Sequence, residues 1–473
     1  MKTYNDLLEC VSEKERMNFI LSAIADHKAS EAYKTAMIAI EYANQRNTTI
    51  TKYRKFLYDI AGNAVPDNYT ANHKCASNFF SRFVTQEASY LLGNGATFEK
   101  DSTKKKLDAD FDTKLYKIGK SALIQGEAFG FYNMGHLDVF ELIEFVPLLD
   151  EEDGALKAGI RFWQIAPSKP LRAVLYEIDG YTEYICRKEK EMEIYIPKRV
   201  YRQNVKKSKV DGERIYDGEN YPSFPIVPLW GNLKHLSELV GQRENIDAYD
   251  LIKSGFANDL DDASMIYWTL ENCGGMDDID LAKFIDKMRR VKAAVIDGGE
   301  GAKATAHTMD VPYESRETYL KRLRDDLYED AMALNTSQIS AGNITATQIL
   351  AAYEPLDQKC DEFEYCVLDF IAGILLAAGL DADVPTFKRS RIVNRQEETE
   401  IVLSAAEYLD EETVLRKLPF LTPDEIDDIL ARKDAESAAR FAGVTPDGKE
   451  DGENSGDGED GNINTNSAKK EEI

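Results

Sequence analysis

The chain has 473 residues, of which 43% are hydrophobic and 30% charged, and its 58 Lys+Arg against 84 Asp+Glu give a formal net charge of −26. That length exceeds one small core and implies roughly two to four structural units. The charge excludes tight, non-specific wrapping of nucleic acid, which needs net positive patches, but it suits a surface beside a duplex that must stay mobile. No apolar run reaches the roughly 18 residues of a membrane span; the longest, around Phe370 to Leu380, is broken by Gly373 and Gly379. The N-terminus, MKTYNDLLEC, lacks the layout of a signal peptide. Cys10, Cys75, Cys186, Cys273, Cys360 and Cys366 form no CxxC pair and read as reduced thiols of a cytosolic protein.

Residues 5–45 read as helical, with Leu7, Leu8, Val11, Phe19, Ile20 and Ile24 on buried faces. The spacing predicts a second helical stretch over 71–92, with Phe79, Phe83 and Leu91 inward and Gly93 at its C-cap. From about 115 the runs become short, aromatic and β-branched, as in "HLDVFELIEFVPLL", and Asp179-Gly180 marks a hairpin turn. The basic run 198–209 (KRVYRQNVKKSK) reads first as a solvated hairpin edge and second as a DNA patch.

A helix is predicted over 234–271, with a stripe through Leu236, Leu239, Ile246, Tyr249, Ile252, Phe256 and Leu260. An insert over 277–310 follows: a short helix, a strand (VKAAVI), a glycine-rich turn and a second strand. Residues 315–334 return to helix through Leu320, Leu323, Leu327, Ala331 and Leu334. "NTSQISAGNITATQ" (335–348) then interrupts a highly charged chain with no charge and no aromatic. Thr345 and Gln348 have capping-box spacing, and a long amphipathic helix runs on through Tyr353, Leu356, Cys360, Phe363, Val367, Phe370 and Ile374. Pro355 is expected to kink or restart it. A further helical module covers 396–443, with Thr422 as an N-cap and Pro423 first in its helix. Residues 445–473 hold nine acids against three lysines, a net charge of 3 − 9 = −6, and read as a disordered tail.

Motifs for chemistry are lacking. "DGGEGAK" (297–303) misses the spacing of a phosphate loop. The five histidines are scattered, and Asp108, Asp110 and Asp112 in "LDADFD" are out of register for a calcium loop. Asp259, Asp261 and Asp262 form either a wet helix face or the wall of an acidic channel. These observations support no enzyme, no cofactor and no metal site.

Six phrases in order, from "AYKTAMIAIEYANQRNTTI" through "NFFSRFVTQEASYLLGNGATF", "FVPLLDEEDGALKAGIRFW", "FPIVPLWGN" and "NIDAYDLIKSGFANDLDDASMIYWTL" to "SAGNITATQIL", resemble the portal proteins of tailed bacteriophages of Gram-positive hosts. The resemblance covers roughly residues 28–435, with Thr345 and Ala346 where the family has Ser-Gly. It implies a predominantly helical α+β subunit with wing, stem, clip and crown, forming a ring, usually a dodecamer, around a central channel. Residues 1–233 would be the wing, 234–271 a stem helix, 272–311 the clip and 312–334 the second stem helix. The channel loop would be 335–344, the long wing helix 345–396, the crown 397–444 and the acidic tail 445–473. Asn335, Thr336, Ser337, Gln338, Ser340, Gly342 and Asn343 would face double-stranded DNA through weak, transient contacts. Lys287, Arg289, Arg290 and Lys292 would meet acidic partner surfaces from the clip. The implied partners are further copies of the chain, the terminase large subunit, head-completion proteins, and major capsid and scaffolding proteins. The implied place is the virion's portal vertex, reached from host cytoplasm during assembly, with no membrane. The rival readings are a helical adaptor or scaffold of a phage head without DNA passage, and an enzyme using Asp108, Asp259 and Asp261.

Overall fold

The computed structural model describes residues 2–58, 62–67, 70–188, 191–207, 214–263, 267–271, 277–291, 303–307, 313–339, 346–391, 395–418, 421 and 423–442. Two compact units result, Met1–Ile392 and Val393–Ile473.

The first unit opens with α1 (Tyr4–Leu8), α2 (Glu13–Ala29), α3 (Glu31–Ala43) and α4 (Thr48–Lys52). Two hydroxyl caps divide the stretch predicted as helical: Ser12 accepts from the Glu15 N–H and Ser30 from the Tyr33 N–H, each starting a new helix. Next comes an antiparallel hairpin, β1 (Phe56–Tyr58) with β2 (Ala64–Pro66), exposed along both strands.

The helix predicted from 71 begins only at α5 (Phe79–Leu92). Residues 71–78 run without helix because side chains of a later helix take their N–H groups. The His73 N–H donates to Asn258 at 2.7 Å, Cys75 to Ser254 at 2.9 Å and Ser77 to Asp250 at 2.9 Å. Every second amide of the segment thus meets every fourth residue of the helix, which matches the two repeats.

Then follow β3 (Ala96–Thr97), α6 (Asp101–Lys106), α7 (Phe111–Gln125), β4 (Glu127–Asn133), β5 (His136–Glu141), β6 (Phe145–Leu149), β7 (Leu156–Trp163), β8 (Leu171–Glu177), β9 (Gly180–Lys188), β10 (Glu191–Arg199), β11 (Arg202–Lys207), β12 (Arg214–Glu219) and β13 (Ile226–Trp230). A five-stranded meander is ordered β10-β9-β8-β7-β6, and a three-stranded sheet β13-β4-β5. The Asp179-Gly180 turn closes β8 onto β9 with Gly180 at φ 138°, where a Cβ would lie 2.2 Å from the Arg199 carbonyl oxygen. The basic run falls on the end of β10 and on β11, which pairs with β12 in a two-stranded ribbon, the arrangement of a hairpin edge.

One core lies between α2 and the meander, joining Phe19, Ile20 and Ile24 to Val146, Ile160 and Leu175. The larger core packs α3, α5 and α7 with the three-stranded sheet, through residues such as Phe80, Leu115, Ile118 and Phe129. At its edge Glu127 accepts a hydrogen bond from the Trp230 side chain, yet burial pushes its carboxyl up to about 7. The folded pKa thus exceeds the unfolded one, so this group's contribution to stability is complete below the ordinary glutamate pKa and is lost as pH rises through about 7. Glu127→Gln is therefore expected to match the parent at pH 4.5 and to exceed it at pH 8 by about 1–3 kcal/mol, read from urea midpoints at both pH values.

The rest of the unit holds α8 (Arg243–Ala263), β14 (Tyr267–Glu271), α9 (Asp278–Val291), β15 (Lys303–His307), α10 (Tyr313–Asp330), α11 (Thr336–Ile339), α12 (Ala346–Ala378) and β16 (Thr386–Phe387). The helix predicted over 234–271 is shorter at both ends. Before it, Asn232 accepts from the N–H groups of Lys234 and Leu236, and the Glu238 N–H donates to the Leu123 carbonyl, so these amides are diverted from helix. After it, β14 pairs antiparallel with β15. The predicted strand VKAAVI (291–296) starts on Val291, the last residue of α9, and Lys303 of the glycine-rich turn opens β15; the residues between lie outside the described ones. Helix α12 continues through Pro355 instead of restarting; Tyr353, Leu356 and Cys360, on both sides of the proline, are buried in one cluster. Thr345, the expected cap, lies outside the described residues, and the helix ends at Ala378, well short of 396.

The second unit contains α13 (Arg395–Ser404), α14 (Glu411–Lys417) and α15 (Pro423–Ala442). Asp410 caps α14 by accepting from the Thr413 N–H at 3.0 Å, and Lys433 on α15 pairs with Glu411. Pro423 opens its helix as expected; Thr422 and the tail 445–473 lie outside the described residues.

Candidate functional site

The uncharged segment between α10 and α12 is the feature that the sequence singles out, and its root is built from four elements. At Leu334 the Gln86 side chain of α5 bonds the main chain both ways, accepting from the N–H at 3.0 Å and donating to the carbonyl at 3.1 Å. An amide side chain here imitates a strand neighbour and fixes the exit from α10. On the α12 side Tyr353 stacks on Tyr90, with centroids 5.5 Å apart and planes 21° from parallel. The Tyr90 hydroxyl donates to Asp357 at 2.7 Å and accepts from Arg391 at 2.8 Å. Arg389 adds bonds to Asp357 at 2.9 Å and Glu364 at 2.8 Å, and pairs with Asp361. This cluster holds the Asp357 carboxyl below its usual range, because donors surround the charged form and outweigh its burial.

Beside this root, Lys359 lies half-buried between Glu87 at 2.9 Å and Glu238 at 2.7 Å, and donates to the Ala331 carbonyl at 3.3 Å. One cation therefore joins α5, the turn before α8, the end of α10 and α12. Burial raises the Glu87 carboxyl to about 7 against the opposing pull of Lys359. Glu87 and Lys359 sit inside the apolar stripes of their helices, next to Val84, Leu91 and Cys360. A charge in an apolar stripe is the signal by which the sequence could have marked this junction.

The expected loop residues divide. Asn335 is buried, 7% exposed, and its side chain accepts from the Ser337 N–H at 3.2 Å and hydroxyl at 2.6 Å. It caps the single turn α11 and is therefore removed from the expected contact set. Thr336 and Ser337 are exposed but stand on that turn, so the segment begins as helix, not as a free loop. Gln338 belongs to α11 with its side chain outside the described residues; Ser340, Gly342 and Asn343 lie outside them entirely.

The acids expected as a wet helix face or a channel wall have partners within the chain. Asp259 pairs with the Arg316 guanidinium of α10, and Asp261 meets the His73 ring. The Asp262 side chain is outside the described residues. Helices α8 and α10 are further joined by Asn245 donating to Asp330 at 2.9 Å, and Tyr249 and Tyr328 both meet Phe79 edge-on. Asp108 pairs with His136, far in sequence from Asp259 and Asp261, and no cluster of metal-ligating residues occurs among the described residues. Of the basic group, Lys287 is exposed on α9; Arg289 and Arg290 belong to that helix with side chains outside the described residues, and Lys292 lies outside them. Cys10, Cys75, Cys186, Cys360 and Cys366 are thiols outside any disulfide. No described helix is long and apolar enough to cross a membrane.

An α+β chain with a paired α8 and α10, a packed root and a long α12 against an antiparallel three-stranded sheet has the fold class of a multi-domain portal-type subunit. Residues 26–439 match the family model described as "Phage portal protein, SPP1 Gp6-like", and the chain belongs to that family. The portal protein of Bacillus phage SPP1 is 25% identical over 424 residues, which are 80% of this chain and 79% of that protein. The portal protein of Clostridium phage phiCD119 is 26% identical over 216 residues, 44% of this chain and about half (48%) of that relative's length. A solved assembly, the neck of a native GTA particle computed with C12 symmetry, shares 12% identity over 73% of this chain and 91% of that chain, with a TM-score of 0.41.

Proposed function

We propose that this chain is the subunit of a ring at one capsid vertex, through which double-stranded DNA enters during packaging and leaves at ejection. The observation that carries the reading is the loop root: exposed, uncharged Thr336 and Ser337 on a base fixed by Gln86, Tyr90 and Lys359. A hydroxyl that trades its bond within the chain, such as Ser337 to Asn335, for one to a passing phosphate lets go quickly, whereas a ring of lysines would hold the duplex by counterion release and brake it. A stiff base keeps such contacts at one radius while the strand moves. Family membership supports the ring, with dodecameric closure as our reading of its size. The packaging ATPase, the terminase large subunit, would dock at the end carrying α9 and Lys287, and head-completion proteins would follow it there. Capsid and scaffolding proteins would meet the wing during assembly in host cytoplasm. The role is structural, and no reaction is assigned.

The test joins native mass and negative-stain images of the purified protein with packaging into proheads driven by the separate ATPase. We expect a ring with an axial hole of about 20 Å or more, set by the width of duplex DNA. The double variant Thr336→Lys, Ser337→Lys should keep that ring but package several-fold more slowly, with the deficit shrinking as salt rises. Unchanged packaging would remove the loop from the mechanism. A closed oligomer without a hole would put an adaptor without DNA passage in its place.

A further inference from the structure

Helix α8 carries a glycine near its centre that its own chain does not explain. Glycine destabilises a helix interior relative to alanine, so a mid-helix glycine normally marks a close neighbour. Gly119 of α7 lies against Leu92 and Phe363, and Gly373 of α12 against Val227. A Cβ at Gly255 would meet no atom within 4 Å among the described residues. Gly255 instead forms the floor of an apolar groove of 370 Å³ between α8 and α10, walled by Ile252, Ser315, Arg316 and Tyr319. Tyr319 is 48% exposed, and Arg316 is neutralised by Asp259. The groove is shaped for an apolar group that no described residue of the chain supplies.

The same chain carries an apolar projection that no described residue covers. In the β1–β2 hairpin Phe56 is 52% exposed, Leu57 46%, Tyr58 76% and Val65 47%. An isolated two-stranded hairpin is marginal in water, and this one shows apolar side chains to solvent along both strands. Its two legs are nevertheless fastened to α8. Thr49 donates to Asp247 at 2.7 Å, and Asn47 bonds to Asp250 on the incoming leg. Ser77, Cys75 and His73 bond Asp250, Ser254 and Asn258 on the outgoing leg. An exposed apolar arm with a fixed root is preorganised for binding.

Arm and groove occupy different faces of α8, since Gly255 follows Ser254 by one residue, about 100° round the helix. A head-to-tail contact between identical copies needs two such unlike, complementary patches. Charge points to the same occupant. Copies of net charge −26 repel one another, so their contact requires locally cationic ground, and exposed Lys52 and Arg54 stand at the arm's base. We propose that the β1–β2 arm of one copy seats its aromatic residues in the Gly255 groove of the next copy, and that this contact links the ring. The inference rests on the ring reading above.

The experiment uses the full chain and native mass spectrometry at matched concentrations. Gly255→Trp fills the groove where a side chain has open space, and the pair Phe56→Ser, Tyr58→Ser strips the arm at exposed positions. Each variant is expected to lose the large assembly and run as a monomer with the parent's far-ultraviolet circular dichroism. Mixed together they should give a one-to-one dimer, because one supplies an intact arm and the other an intact groove. If Gly255→Trp loses helical signal, Tyr319→Ala removes the groove wall from an exposed site instead. Variants that assemble like the parent would overturn the arm contact while leaving the ring reading standing. A parent that is monomeric at every concentration would overturn the ring reading and the arm contact together.

Discussion

Replacing Lys359 with methionine is expected to destabilise the Met1–Ile392 unit by about 3–5 kcal/mol, the usual cost of removing one partner from a buried ion cluster. The side chain fits sterically, so the loss is electrostatic: Glu87 is 2% exposed, and it and Glu238 would then face each other without a cation. The pH dependence identifies the cause. Lys359 is what pulls the Glu87 pKa down against burial, so without it that carboxyl titrates still higher. A group whose folded pKa lies above its unfolded one stabilises most below the unfolded value and least once pH exceeds the folded value. The deficit should therefore be smaller at pH 5 than at pH 8, and the further change Glu87→Gln should restore part of it at pH 8. Urea midpoints at the two pH values measure this; a deficit independent of pH would mean that lost packing, not charge, carries the effect. The function should suffer with the stability, because the same lysine ties the end of α10 to α12 on either side of the uncharged segment.

Asp250→Ala is expected to cost about 2–4 kcal/mol, since Asp250 is 0% exposed and serves both the Ser77 N–H and the Asn47 amide. The Ser77 N–H would lose its acceptor, and the Asn47 amide would keep only its bond to the Ser77 carbonyl. Asp250→Asn should cost less, about 1–2 kcal/mol, because its carbonyl oxygen still serves the Ser77 N–H and the Asn47 amide keeps its bond to the Ser77 carbonyl at 3.1 Å. Hydrogen exchange supplies the sharper reading. In the parent the amides of His73, Cys75 and Ser77 should exchange slowly, in alternation with faster neighbours. In Asp250→Ala the Ser77 amide should lose its protection, and uniform exchange across 73–77 in the parent would refute the ladder.

Periodicity carried the long elements well. The apolar spacing from Leu320 to Leu334 and from Tyr353 to Ile374 corresponds to α10 and α12, because those helices bury one continuous stripe. The Asp179-Gly180 turn was equally legible, since only a short-range constraint decides it. The failures share a different cause. Residues 71–78 have a helical pattern, but their amides are claimed by side chains more than 170 positions away. Residues 234–242 lose their helix to Asn232 and to the Leu123 carbonyl. Asn335 looks like a solvent-facing loop residue until its side chain is seen capping α11. Asp259 and Asp261 look like free acids until Arg316 and His73 arrive from other elements. Local rules set the elements, whereas partners distant in the chain decide which polar groups remain available for function.

The ladder between α8 and the segment 73–77 also acts as a vernier. Four helical residues advance about 6.0 Å and two extended residues about 6.6 Å, so the scales drift by about 0.6 Å per rung. Across the two intervals from Asp250 to Asn258 the error is about 1.2 Å, which bending and side-chain rotation absorb. A fourth rung would bring it near 1.8 Å, beyond the tolerance of a hydrogen bond. Three rungs are therefore close to the longest such match, and they restrict how α8 can shift along its own axis. A displacement below a few tenths of an ångström strains all three bonds together; the next coincidence lies a full rung away, about 6 Å. Axial motion of this helix against the segment 73–77 is thus either elastic and small or a discrete step.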